Sequence, residues 1–164
     1  MDKKDILELF DYCDWARARL LESLKPMTQE DFEKDMHSSH GGVRGTLYHI
    51  VNAEKIWLRR LKGETHATLD ESALKTLADF QTEWEYLDGQ LRSYINGISE
   101  ADLHGVYEYK TAKGDLLSQP RIWSFLQLVN HFSYHRGQIV TFQRQLGYKP
   151  VNTDMIGYFR ETQN

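Results

Sequence analysis

Two histidines four residues apart, His131 and His135, are the residues of this chain best placed to do chemistry; they lie in Leu128-Val-Asn-His131-Phe-Ser-Tyr-His135-Arg-Gly-Gln-Ile139. On a helix such a spacing puts the two Cβ atoms about 5–6 Å apart, close enough for both imidazoles to reach one ion through nitrogen bonds of about 2.0–2.1 Å. At 100° per residue, Ser124, Leu128, His131, His135, Ile139, Phe142 and Leu146 share one stripe, so the pair faces inward. Two unpartnered imidazoles suit a helical core poorly. Desolvation disfavours their charged forms and leaves polar nitrogens to be satisfied. A shared metal ion removes both difficulties. The plainer alternative is a pair of hydrogen-bonded core histidines in a purely structural bundle.

A third histidine, His49, lies in Thr46-Leu-Tyr-His49-Ile-Val-Asn-Ala-Glu54-Lys-Ile-Trp57, at the edge of another helical stripe, on the flank of Ala53 and Ile56. Three histidine ligands would leave coordination positions open to water or substrate, the pattern of a catalytic rather than a closed structural site. Glu54 falls between Leu47 and Leu61 on the inward stripe, where a carboxylate is unusual. It reads as an acceptor or general base beside a metal, or as an acid paired with a nearby lysine or arginine. Tyr134 reads mainly as a packing residue of the core or an interface, with donation to a substrate as the alternative. His37, His40, His66 and His104 fall in loop-like or boundary segments and read as solvated.

Four amphipathic segments must position these groups. The first helix is expected from Lys3 to Leu24, stopped before Pro26, and the second from Val43 to Lys62, stopped by Gly63. The third runs from about Asp70 to Asn96 before Gly97. The fourth begins with Pro120 at its first position and continues to Leu146 before Gly147. Thr28 followed by Asp31 suggests a single capped turn. Val106 to Thr111 alternates like a strand, Lys113-Gly114 offers a turn, and Asp115 to Gln119 returns, which predicts a small β-hairpin before the fourth helix. The tail from Tyr148 to Asn164 carries a break at Pro150 and a short turn or helix capped by Asp154. Long amphipathic helices in this arrangement predict an all-α four-helix bundle.

With 164 residues, 40% of them hydrophobic and 27% charged, the chain suits a single soluble domain over 1–164. A net charge of −4 gives no general attraction to nucleic acid or an anionic membrane. The single cysteine, Cys13, permits no internal disulfide and fits a reducing cytoplasm; it sits on the apolar stripe of the first helix, which favours packing over nucleophilic use. The N-terminal residues do not read as a signal peptide, and no apolar run reads as a membrane span. The stretch His131-Phe-Ser-Tyr-His135 lacks the glutamate of the zinc-protease helix. No Gly-x-Ser-x-Gly elbow, phosphate-binding glycine loop or Cys-x-x-Cys pair occurs.

Several segments together resemble the DinB family of metalloenzyme-like proteins. They are Tyr12-Cys-Asp-Trp15-Ala; Gly45-Thr-Leu47-Tyr-His49-Ile with Glu54 and Trp57; Asn130-His131-Phe-Ser-Tyr-His135-Arg-Gly137-Gln-Ile; Leu146-Gly147; and Asp154-Met-Ile-Gly-Tyr158-Phe-Arg-Glu161. The resemblance spans essentially the whole chain. It implies an up-down-down-up bundle and a divalent metal ion, such as zinc, nickel or iron, held at positions matching His49, His131 and His135. Parallel second and third helices then need a connector across the bundle. From Gly63 to Asp70 the eight residues span at most about 26–29 Å, barely enough, so a later start of the third helix or an oblique crossing is implied.

Characterised relatives include transferases and isomerases that use small thiols, and a metal-dependent hydrolase; members often form homodimers. The family name reflects damage-inducible expression and is shared with an unrelated DNA polymerase, which nothing in this acidic chain supports. The expectations are therefore a metal-dependent transferase using a low-molecular-weight thiol, a hydrolase, or a non-catalytic metal- or ligand-binding stress-response protein.

Overall fold

The computed structural model describes residues 1–162; the last two residues of the expected domain and tail lie outside them. Seven helices and one hairpin follow in the order α1 (Lys3–Leu24), α2 (Gln29–Glu33), α3 (Val43–Leu61), α4 (Leu77–Gly97), α5 (Glu100–His104), β1 (Val106–Lys110), β2 (Leu116–Pro120), α6 (Arg121–Gln145) and α7 (Met155–Thr162). The long helices α1, α3, α4 and α6 form the bundle. Their inward faces bury Phe10, Leu47, Leu91, Phe125 and Leu128, each no more than 1% exposed.

Side-chain contacts set the helix directions. Arg92 of α4 binds Asp11 and Asp14 of α1 while Lys3 Nζ donates to the Asn96 and Ile98 carbonyls, so α1 and α4 are antiparallel. Tyr12 meets Arg136 and Ser23 meets Gln143, so α1 and α6 run parallel. Arg44 near the start of α3 reaches the Leu74 carbonyl just before α4, and the Leu61 carbonyl at its end accepts from Tyr94 near the end of α4; these two are parallel. This is the up-down-down-up order.

Two boundaries differ from expectation. The third long helix starts at Leu77 rather than Asp70, because Thr76 and Asp79 form a reciprocal capping box there. Asp70 instead caps a single 3-10 turn, Glu71–Ala73. The connector thereby gains the residues that it needs to cross the bundle between parallel helices. Pro120 closes β2 and precedes α6 instead of occupying its first turn. Helix α5 was not expected; Ser99 and Asp102 cap this single turn, too short to show a periodicity. The hairpin pairs antiparallel, with Tyr107 opposite Gln119 and Tyr109 opposite Leu117.

Candidate metal centre

His49 projects from α3, and His131 and His135 from α6, where these two helices pack against each other. The Nε2 atoms of His49 and His131 are 2.9 Å apart. Ring centroids of His135 lie 4.5 Å from His49 and 4.3 Å from His131. The expected three histidines are thus neighbours, although His131 is not in the trio whose ligand atoms converge within 4.8 Å of one another. A fourth joins them. His40 stacks on His49 with centroids 3.7 Å apart and planes 16° from parallel, and one ligand atom each from His40, His49 and His135 lies within 4.8 Å of the others.

The expectation of a solvated His40 therefore fails, for a reason located in the loop ahead of α3. Residues 34–40 press against the first turn of α3. A Cβ at Gly42 would sit 2.0 Å from the Lys34 carbonyl oxygen, and one at Gly45 would sit 2.0 Å from that of His40. These glycines admit the close approach. Gly41 turns through φ +71°, and the Ser38 hydroxyl donates to the Gly41 carbonyl. The cluster of Gly41, Gly42 and Gly45 directly after His40 was the available signal. His37 and His66 are solvated as expected, as is His104, whose Nε2 lies 3.0 Å from the Met1 carbonyl.

The electrostatics favour neutral imidazoles. Burial lowers the His49 pKa to about 4, with His40 and His135 adding to the fall. Burial lowers His131 to about 3, with His135, His49 and His40 contributing. His40 is lowered by burial and by His135. His135 Nδ1 can only donate to Gln138 Oε1 (2.7 Å), which leaves its Nε2 lone pair available. His131 Nδ1 is buried without a partner, and at most one of the facing Nε2 atoms of His49 and His131 can carry the proton between them.

This donor set fits a divalent cation. Two nitrogens bound tetrahedrally at about 2.0–2.1 Å stand about 3.3–3.4 Å from each other, so the hydrogen-bonded nitrogens of His49 and His131, 2.9 Å apart, need only a small separation to become ligands. Imidazole ligands suit zinc, nickel and iron alike.

Glu54 lies elsewhere. Five residues on from His49, it is turned about 140° around α3. It is 1% exposed and faces Arg17, Trp84 and Asp88 of α1 and α4, with neither oxygen accepting a hydrogen bond at ordinary distance. Burial raises its pKa well above the ordinary range; Asp88 raises it further, while Arg17 and the Trp84 indole oppose the rise. Arg17 and Arg92 are already engaged by Asp14 and Asp88, which leaves Glu54 without a cation of its own. Tyr134, expected mainly in packing, is 64% exposed, its ring edge-on to His135 at 4.9 Å.

An up-down-down-up bundle with histidines gathered between two of its helices defines a class of helical proteins built around a candidate metal centre. A model of the DinB family matches residues 1–164, and the chain belongs to that family. It is similar to Protein DinB of Bacillus subtilis strain 168, 23% identical over an alignment of 156 residues, with 90% of this chain and 89% of that protein covered. Uncharacterized protein YizA of the same organism is 23% identical over an alignment of 162 residues, with 93% of this chain and 94% of that protein covered. A crystal structure of a DinB-like protein from Bacillus cereus matches with a TM-score of 0.68 at 16% identity, covering 91% of this chain and 95% of that one. That likeness concerns the fold.

Proposed function

We propose that His49, His131 and His135 hold one divalent metal ion, with His40 as a further donor beside them, and that the protein is a metal-dependent transferase using a low-molecular-weight thiol. The observation that carries this reading is the 2.9 Å approach of two imidazole nitrogens beside two further histidines. Bound there, a divalent ion lowers the pKa of a coordinated thiol or water. Of the chain's own residues, His49 and His131 are held neutral by burial, and Gln138 fixes the His135 ring. His40, His49 and His131 are only half-buried, so a small molecule can reach the cluster.

The protein's own sulfur does not serve as nucleophile. Cys13 is buried on α1 and burial pushes its thiol up to about 12, so the thiolate is scarce near neutrality. A transferred sulfur therefore comes from a small thiol, which fits a cytoplasmic setting. Among the described residues no helix is long and apolar enough to cross a membrane. The resemblance also supports a homodimer and a role in stress response.

Elemental analysis tests the site. The wild type should carry one equivalent of metal and the His131→Ala/His135→Ala variant none; equal metal in both would refute it. Adding candidate thiols to the metal-loaded protein with a generic electrophile separates the readings. Turnover that needs the thiol supports transfer, hydrolysis without thiol supports the hydrolase, and metal binding with neither supports a non-catalytic binding protein.

A further inference from the structure

On the far side of α6 from the histidines, a cavity of about 600 Å³ lies between α1, α6 and the segment 150–154. Its walls include Tyr12, Ser133, Arg136, Gly137, Arg144 and Asp154. Arg136 is 2% exposed. Its Nη2 donates to Tyr12 Oη at 2.7 Å and to Ser133 Oγ at 3.0 Å, and its guanidinium stands 5.1 Å from the Tyr12 ring. These partners are neutral. The Cys13 thiol also stands close to the guanidinium; the Nε–H has no acceptor at ordinary distance, and among the described residues no carboxylate forms an ion pair with this arginine. An uncompensated buried charge is costly, and its natural complement is an anion.

Two further features point to an occupant. Arg144, exposed on the same wall, adds a second cation, so two guanidinium charges against the Asp154 carboxylate leave one net positive charge. Gly137 sits mid-helix, where glycine costs about 0.8–1.0 kcal/mol relative to alanine. A Cβ there would meet no atom within 4 Å, so no close protein contact demands the glycine. The missing side chain leaves this part of the cavity wall open. The outer wall is held in place: Tyr12 Oη donates to the Thr153 carbonyl (2.9 Å) and Arg19 Nε to that of Asn152 (3.2 Å).

We infer that this cavity binds a small molecule through a carboxylate or phosphate oxyanion, with Arg136 as the buried anchor and Arg144 as the cation at the rim. Its volume suits a small organic ligand. Residues 133, 137, 140 and 144 fall on the face of α6 turned away from His131 and His135, so the site is separate from the histidine cluster.

The test uses the full chain, treated with chelator so that no metal contributes, in thermal unfolding and calorimetric titration. Inorganic phosphate and acetate are each compared with chloride at equal ionic strength. One or both oxyanions should bind and raise Tm; a phosphate-only response assigns a phosphate-bearing ligand and an acetate-only response a carboxylate-bearing one. Arg144→Gln, at an exposed position, should weaken binding on the order of tenfold. Gly137→Leu should fill the cavity and abolish binding while the unliganded Tm holds or rises. No response to either anion, or unchanged responses in both variants, would overturn the inference.

Discussion

Replacing Glu54 with glutamine should change how stability depends on pH. In the folded chain burial raises this carboxyl well above its ordinary value of 4.5, so the native state holds a proton that the unfolded chain releases. For an acid shifted upward, the native state is favoured fully below the unfolded value, and that advantage is lost as pH rises toward the folded value. Through that window the loss follows linkage, about 1.4 kcal/mol per pH unit for one proton. Between about pH 5 and pH 8 the ceiling is thus roughly 4 kcal/mol, a large share of a typical stability of about 5–15 kcal/mol.

Glu54→Gln removes the titration while keeping the shape. Any constant penalty from the amide in this site is independent of pH, so the slope is diagnostic. Urea unfolding of chelated protein, followed by tryptophan fluorescence with Trp84 beside the site, gives the difference between variant and wild type at each pH. The lowered His49 and His131 titrate in both proteins and cancel to first order, whereas Asp14, also raised by burial, is coupled to Glu54 and contributes to the difference. The variant should gain on the wild type steadily as pH rises. A difference that stays constant across the range would show that Glu54 is ionised in the fold and would refute the reasoning.

Two other outcomes follow from the same structure. His40→Ala should retain one equivalent of metal with affinity lowered by roughly 10–100-fold, as for a supporting group; complete loss of metal would make His40 an indispensable ligand. Cys13, with its thiol raised to about 12, should resist alkylation at neutral pH in the native protein and react at the rate of an ordinary thiol once urea unfolds it, as mass spectrometry would show.

Three clusters of titratable side chains stand apart in this bundle. Around Glu54 the acids and the arginines of α1 and α4 form a network, with Arg92 bridging Asp11, Asp14 and Asp88. Between α3 and α6 the histidines form a donor cluster in which burial lowers the pKa of His49 and His131. Behind α6 a lone buried arginine faces a cavity. These settings use different faces of the same helices, so a change in one can be tested against the others. Additivity is expected where no partner is shared.

Local pattern carried much of this architecture. The bounds of α1, the end of α3 to within a residue and the place of the hairpin follow from spacing, Pro26, Gly63 and the Lys113-Gly114 turn, because each depends on residues only a few positions apart. The His131–His135 pair was legible for the same reason: four residues on a helix fix a separation whatever surrounds it. His49 was weaker in the pattern and rested on resemblance, since nothing local says which helix its face will meet.

Tertiary contacts decided the rest. The loop carrying His40 is placed by glycines that let backbone touch backbone across a turn, an interaction with no periodicity. Glu54 looked inward in the sequence, as it is, but a stripe does not say which neighbour it faces; packing on α1 and α4 turned it away from the histidines. The start of α4 was set by the Thr76 box and by the length of chain needed to cross the bundle. The two histidines with which the sequence begins its case were determined by helical spacing alone, while the four-histidine cluster exists only because α3, α6 and a distant loop converge.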